Sequence, residues 1–137
     1  MIKRIALSAA AIGLLAAPAV QADETAEMTK GEKKLAKMLE GRVAGEPESC
    51  ITTFGSRSIT QIEDTALVYK SGDTIWVNYT KSPKAIDDRD YMLIRRFSSS
   101  QLCRSDQIEL RDRSSHFFSG VIFLDDFVPY RLAEAES

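Results

Sequence analysis

The chain is poor in the residues that enzymes and metal proteins lean on. It has two cysteines, one histidine and one tryptophan. With the cysteines as far apart as positions 50 and 103 and a single histidine elsewhere, neither a CxxC redox pair nor a zinc set can be assembled. There is no G-x-S-x-G elbow to raise a nucleophile and no glycine-rich loop to cradle a phosphate. An excess of one charge is missing as well: 18 Lys+Arg stand against 20 Asp+Glu, a net charge of −2. Nucleic acids and anionic membranes select clustered positive charge, so neither is expected as a partner. The densest basic stretch, Lys30-Gly31-Glu32-Lys33-Lys34, contains an acid and reads as the solvated face of a helix.

Long apolar runs are also scarce, and the one present gives an address. Ile5 to Ala17 is an apolar run of 13 residues, preceded by Lys3-Arg4 and followed by Val20-Gln21-Ala22, with small residues where a signal peptidase reads. Residues 1–22 are therefore expected to be a Sec-type signal peptide cleaved after Ala22. A membrane span needs roughly 20 apolar residues, and no second run of comparable size follows. The mature chain, from Asp23, is expected to be exported, periplasmic or secreted, with no membrane span and two more units of negative charge than the whole chain. In such an oxidising compartment two cysteines can pair, and a Cys50–Cys103 bridge would stabilise the fold by about 4 kcal/mol through loop closure. The alternative is two reduced cysteines buried as small hydrophobes.

Within the mature chain, residues 23–28 are acidic and unpatterned and are expected to be a flexible start. Thr29 with Glu32 forms a capping box, and Leu35, Met38 and Leu39 share one helical face, with Gly41 as the stop. From Cys50 the period changes to that of strands. Short segments are predicted at Cys50–Phe54 and Ile59–Ile62, followed by a hairpin of Thr65–Lys70 and Thr74–Thr80 turning at Gly72-Asp73. Further strands are predicted at Tyr91–Phe97, Gln101–Cys103, Gln107–Arg113 and Val121–Leu124. Phe127–Arg131 is expected at a sheet edge, because Pro129 cannot donate to a ladder. The pattern predicts a single domain over residues 29–132 with a frayed tail at 133–137. Its class is mostly β, with one N-terminal helix packed on an antiparallel sheet curled into a small barrel or sandwich.

Four features carry possible chemistry. His116, in Ser114-Ser115-His116-Phe117-Phe118, could serve as a base only if a serine and an aspartate were aligned with it. Asp87-Asp88-Arg89-Asp90 and Asp125-Asp126 offer oxygen ligands for calcium or paired carboxylates, yet they lack the spacing of a calcium loop and read equally as turns. Trp76, Asn78 and Thr80 alternate along one strand face, which would be an exposed sugar- or peptide-binding strip if Ile75, Val77 and Tyr79 faced the core. The opposite assignment, Trp76 inside and Tyr79 outside, is the commoner arrangement. Asn78-Tyr79-Thr80 matches the glycosylation sequon by chance in a chain whose signal peptide looks bacterial.

The mature chain resembles an uncharacterised family of short exported proteobacterial proteins. The likeness rests on Gly31-Glu32-Lys33-Lys34-Leu35-Ala36 through Leu39-Glu40-Gly41-Arg42 and Ala44-Gly45, on Cys50-Ile51 and Thr65-Ala66, on Ser100-Gln101-Leu102-Cys103 and Asp112-Arg113, and on Phe127-Val128-Pro129-Tyr130. The resemblance implies export and paired cysteines and transfers no active site. Together these features point to a non-catalytic binding domain for another envelope protein or a small ligand, with no cofactor, no metal and no catalytic residue assigned. The rival expectation is a small periplasmic hydrolase or metal-dependent enzyme using His116 and nearby aspartates.

Overall fold

The structure, a computed structural model, describes residues 27–53, 59–98 and 100–134. The expected signal peptide, residues 23–26 of the expected flexible start, Phe54 of the strand predicted at Cys50–Phe54 with residues 55–58 after it, and the last three residues of the expected frayed tail lie outside the described residues. The helix α1 (Lys30–Met38) begins as the capping box requires: the Glu32 amide donates to Thr29 Oγ1 at 3.2 Å and the Thr29 amide to Glu32 Oε2 at 2.7 Å. Its apolar side, with Leu35 buried and Met38 and Leu39 partly so, packs on the sheet beneath. Gly31 sets how closely it packs, because a Cβ there would lie 2.5 Å from the Glu63 carbonyl oxygen and closer still to the Thr65 hydroxyl.

Ten strands follow among the described residues: β1 (Arg42–Ala44), β2 (Cys50–Thr52), β3 (Thr60–Ile62), β4 (Ala66–Ser71), β5 (Thr74–Asn78), β6 (Asp90–Arg95), β7 (Gln101–Cys103), β8 (Gln107–Asp112), β9 (Phe118–Phe123) and β10 (Val128–Leu132). All pairings are antiparallel. They form a five-stranded sheet in the order β1-β10-β5-β4-β3, a three-stranded sheet β6-β8-β9, and a two-stranded ribbon β2-β7. The sheets pack face to face as a sandwich and do not close into a barrel. The β4–β5 hairpin turns over two residues, with Gly72 at φ 57°, a conformation that glycine adopts freely.

The five-stranded sheet is covered on both sides along β4 and β5. Ala66, Val68, Ile75 and Val77 meet the helix, whereas Leu67, Tyr69 and partly buried Trp76 meet Ile108, Leu110 and Ile122 of the three-stranded sheet. Of the two assignments for this strand, the exposed strip of Trp76, Asn78 and Thr80 is not formed, and the opposite one, Trp76 inside and Tyr79 outside, is. Asn78 and Thr80 are 1% and 6% exposed, whereas Tyr79 is 40% exposed. Asn78 ties the two halves together: its Oδ1 accepts from the Thr80 and Asp125 amides, and its Nδ2 donates to the Asp125 carbonyl at 2.7 Å. That clamp holds Thr80 at φ 55°, which costs a β-branched residue about 1–3 kcal/mol.

The edge position expected for the last strand is also corrected, since β10 lies between β1 and β5. Its Pro129 is tolerated for a geometric reason. The Pro129 carbonyl accepts from the Gly45 amide at 2.7 Å, so its nitrogen also faces the β1 side, just beyond Ala44 where that strand ends. The ladder to β5, where Pro129 sits opposite Trp76, needs no donor from it.

Candidate functional site

The cysteines are the sequence-predicted pair that the structure brings together. Cys50 and Cys103 are direct cross-strand partners of β2 and β7 and are joined as a disulfide, with no free cysteine among the described residues. The bridge lies beside a second lock: the buried Asp106 carboxylate accepts from the Cys103 amide at 2.8 Å and from the Phe97 amide at 3.2 Å.

His116 sits in the exposed β8–β9 turn at φ 62°, its ring edge-on to Tyr91 with centroids 5.8 Å apart. The groups a triad would need are arranged for another task. Asp112 accepts from the Ser114 and Ser115 amides and from Ser115 Oγ, and these bonds hold its carboxyl below the usual range. The serine thus bonds the acid directly and the carboxylate caps the turn.

The acidic stretches divide in the same way. Asp87 accepts three hydrogen bonds from Arg89, through the side-chain Nε and Nη2 and the backbone amide, and is driven down to about 2. Asp90 is buried and accepts from Ser119 Oγ at 2.8 Å, and Asp126 pairs with Arg104 at 3.1 Å. Glu63, Asp87 and Asp88 each bring a carboxylate oxygen within 4.8 Å of the others. Glu63 and Asp88 border a hollow of about 390 Å³ that Lys30 and Lys34 also line. Arg89 pairs with Asp87, and Lys30 and Lys34 bring positive charge to the hollow that Glu63 and Asp88 line.

The least expected feature is the outer face of the three-stranded sheet. Strand alternation sends Met92, Ile94, Ile108, Leu110 and Ile122 inward. The outward positions form three cross-strand rows: Tyr91, Arg111 and Phe118; Leu93, Glu109 and Val121; Arg95, Gln107 and Phe123. An irregularity after Leu110 makes Ser119 the extra residue and keeps Phe118 opposite Arg111. Phe118 is 61% exposed, Phe123 49% and Leu93 39%, and Phe97 beyond the end of β6 is 90% exposed. Glu109 occupies the centre. Burial pushes its carboxyl up, but hydrogen bonds from Arg111 and Arg95 outweigh this and hold it below its ordinary value. At one end, Arg95, Arg96, Phe97, Ser105 and Gln107 enclose a hollow of about 270 Å³. Sequence reasoning passed over this face because Val121 and Phe123 alternate with Ile122 and Leu124, all apolar, so the pattern does not say which set is inside.

No protein family, no characterised protein and no solved structure matches this chain. The described residues contain no helix long and apolar enough to cross a membrane.

Proposed function

We propose that this protein is an exported domain of the bacterial envelope, periplasmic or secreted, which acts by binding another envelope component and not by catalysis. One observation carries the binding reading: an open sheet face bearing Leu93, Phe118, Val121 and Phe123 around an Arg-Glu-Arg centre, in a molecule whose strands β4 and β5 are covered on both faces. Aromatic residues and arginine are the types enriched where proteins meet, and contiguous exposed apolar surface on a small domain marks an interaction site. Export is supported by the disulfide and by the signal-like opening of the sequence. The likeness to short exported proteobacterial proteins belongs to the same proposal.

The test is co-purification from the envelope of the native host, with thiols blocked, of the wild-type protein and of a Phe118→Ser/Phe123→Ser variant. A stoichiometric partner that is present with the first and lost with the second is expected. Identical partners with both, or a partner mapped by cross-linking to the helix side, would contradict the assignment to this face. Intact mass of the purified protein should begin at Asp23, and a protein that keeps residues 1–22 and stays in the cytosol would contradict export.

A further inference from the structure

Resting on the binding role just assigned, the charge of the outer face specifies its occupant. Arg95 and Arg111 both pair with Glu109, so two guanidinium groups share one carboxylate and the centre keeps a positive charge. Glu109 is deeply placed, its side chain 15% exposed, whereas Arg95 is 69% exposed and offers its remaining N–H groups outward. Arg111 Nε is buried with no partner among the described residues. At the rim Lys81, whose amide bonds the Phe123 carbonyl, is exposed, while Arg96 turns its guanidinium to Thr53 Oγ1. The chain as a whole carries −2, so this face has the sign opposite to that of the protein. Two copies meeting face to face would place four guanidiniums against two carboxylates, which disfavours a symmetric dimer through this surface. A phosphate track would meet Glu109 at its centre and only a few cations around it.

The apolar residues lie in columns on either side of this charged centre. Tyr91 and Leu93 run along β6, and Phe118, Val121 and Phe123 along β9, with β8 between them. Strands spaced by about 4.8 Å place the two apolar columns roughly 10 Å apart. We propose that this face receives an acidic, apolar segment of another polypeptide, whose carboxylates engage Arg95 and Arg111 and whose apolar side chains cover Leu93, Phe118 and Phe123. The hollow beside Phe97 is placed to take one anchoring side chain of that segment.

The experiment is selection of short random peptides on the purified, oxidised protein. The enriched peptides are sequenced, their contact surface is mapped by amide shift perturbation, and their affinity is measured with wild type, Arg95→Glu and Phe123→Ser. The expected peptides combine Asp or Glu with apolar residues, map to β6, β8 and β9, lose about tenfold in affinity with Arg95→Glu, and weaken as salt is raised. Peptides that map to this face but are neutral or basic, or bind Arg95→Glu equally well, overturn the acidic partner and leave the binding face standing. Peptides that map elsewhere, or no enrichment at all, overturn both. Sedimentation showing a dimer that Phe123→Ser dissolves, or anionic vesicles or single-stranded oligonucleotides occupying the face in preference to the peptides, would likewise replace the polypeptide partner.

Discussion

The two main sheets treat their outer surfaces in opposite ways. The five-stranded sheet buries both faces of its strands β4 and β5, one under α1 and one against its neighbour, and β4 accordingly reads Ala66-Leu67-Val68-Tyr69 with all four residues buried. The three-stranded sheet buries one face and leaves Leu93, Phe118 and Phe123 uncovered on the other. A sheet with one solvated side ordinarily alternates apolar with polar residues. Here only β8 does so, with Gln107, Glu109 and Arg111 outward, while β6 and β9 place apolar residues on both sides. Apolar surface that contributes nothing to the core is retained at a risk of aggregation, which makes sense where something covers it.

This contrast is sharpest in the response to a buried charge. Val77, wholly buried between β4 and β10, has no polar partner within its layer, so Val77→Asp is expected to cost at least about 4 kcal/mol and leave the domain unfolded by circular dichroism. A folded variant with a near-native melt would mean that the helix side of the sheet is not sealed. Next in size is the ribbon. Replacing Cys50 and Cys103 together by alanine, or reducing the bridge, should remove about 2–4 kcal/mol and lower the melting temperature accordingly. An unchanged melt in dithiothreitol would show that the bridge adds nothing to folding.

A smaller effect probes the helix seam. Gly31→Ala should destabilise by about 1–3 kcal/mol although alanine is the better helix former, because its methyl meets the Glu63 carbonyl and the Thr65 side chain. A more stable variant would show that the helix can lift without loss. The weakest effect belongs to the bare face. Glu109 titrates lower in the folded protein than in the unfolded chain, so its contribution is present above the unfolded carboxyl value of about 4.3 and fades as pH falls through the folded one. Glu109→Gln should flatten the loss of stability below about pH 4, read by denaturant titration across that range. An equal acid slope in both proteins would remove Glu109 from the ion network.

What the sequence disclosed follows from how local each determinant is. Thr29 and Glu32 cap α1 within four residues, Gly72 closes a two-residue turn, and Cys50 and Cys103 pair because nothing else can pair with them. The rest depends on layers that one strand cannot announce. The all-apolar run of β4 was the available sign of a sheet covered on both sides, and its consequence for Trp76, Asn78 and Thr80 appears only once α1 is placed. Pro129 argued for an edge until the direction of its nitrogen toward Gly45 was known. The outer face of β6, β8 and β9 joins residues from Tyr91 to Phe123 by register alone, and no motif marks it.

The decisive measurement is the unfolding free energy of a Leu93→Ser/Phe118→Ser/Phe123→Ser variant, by denaturant titration, beside its affinity for the peptides selected on the wild type. Exposed cross-strand contacts are worth only a few tenths to about 1 kcal/mol each, so the variant should remain folded with less than about 2 kcal/mol lost, while peptide binding disappears. A variant that unfolds, or one that keeps its affinity, would show that these residues hold the sheet together or do nothing at all, and the outer face would no longer be a binding surface.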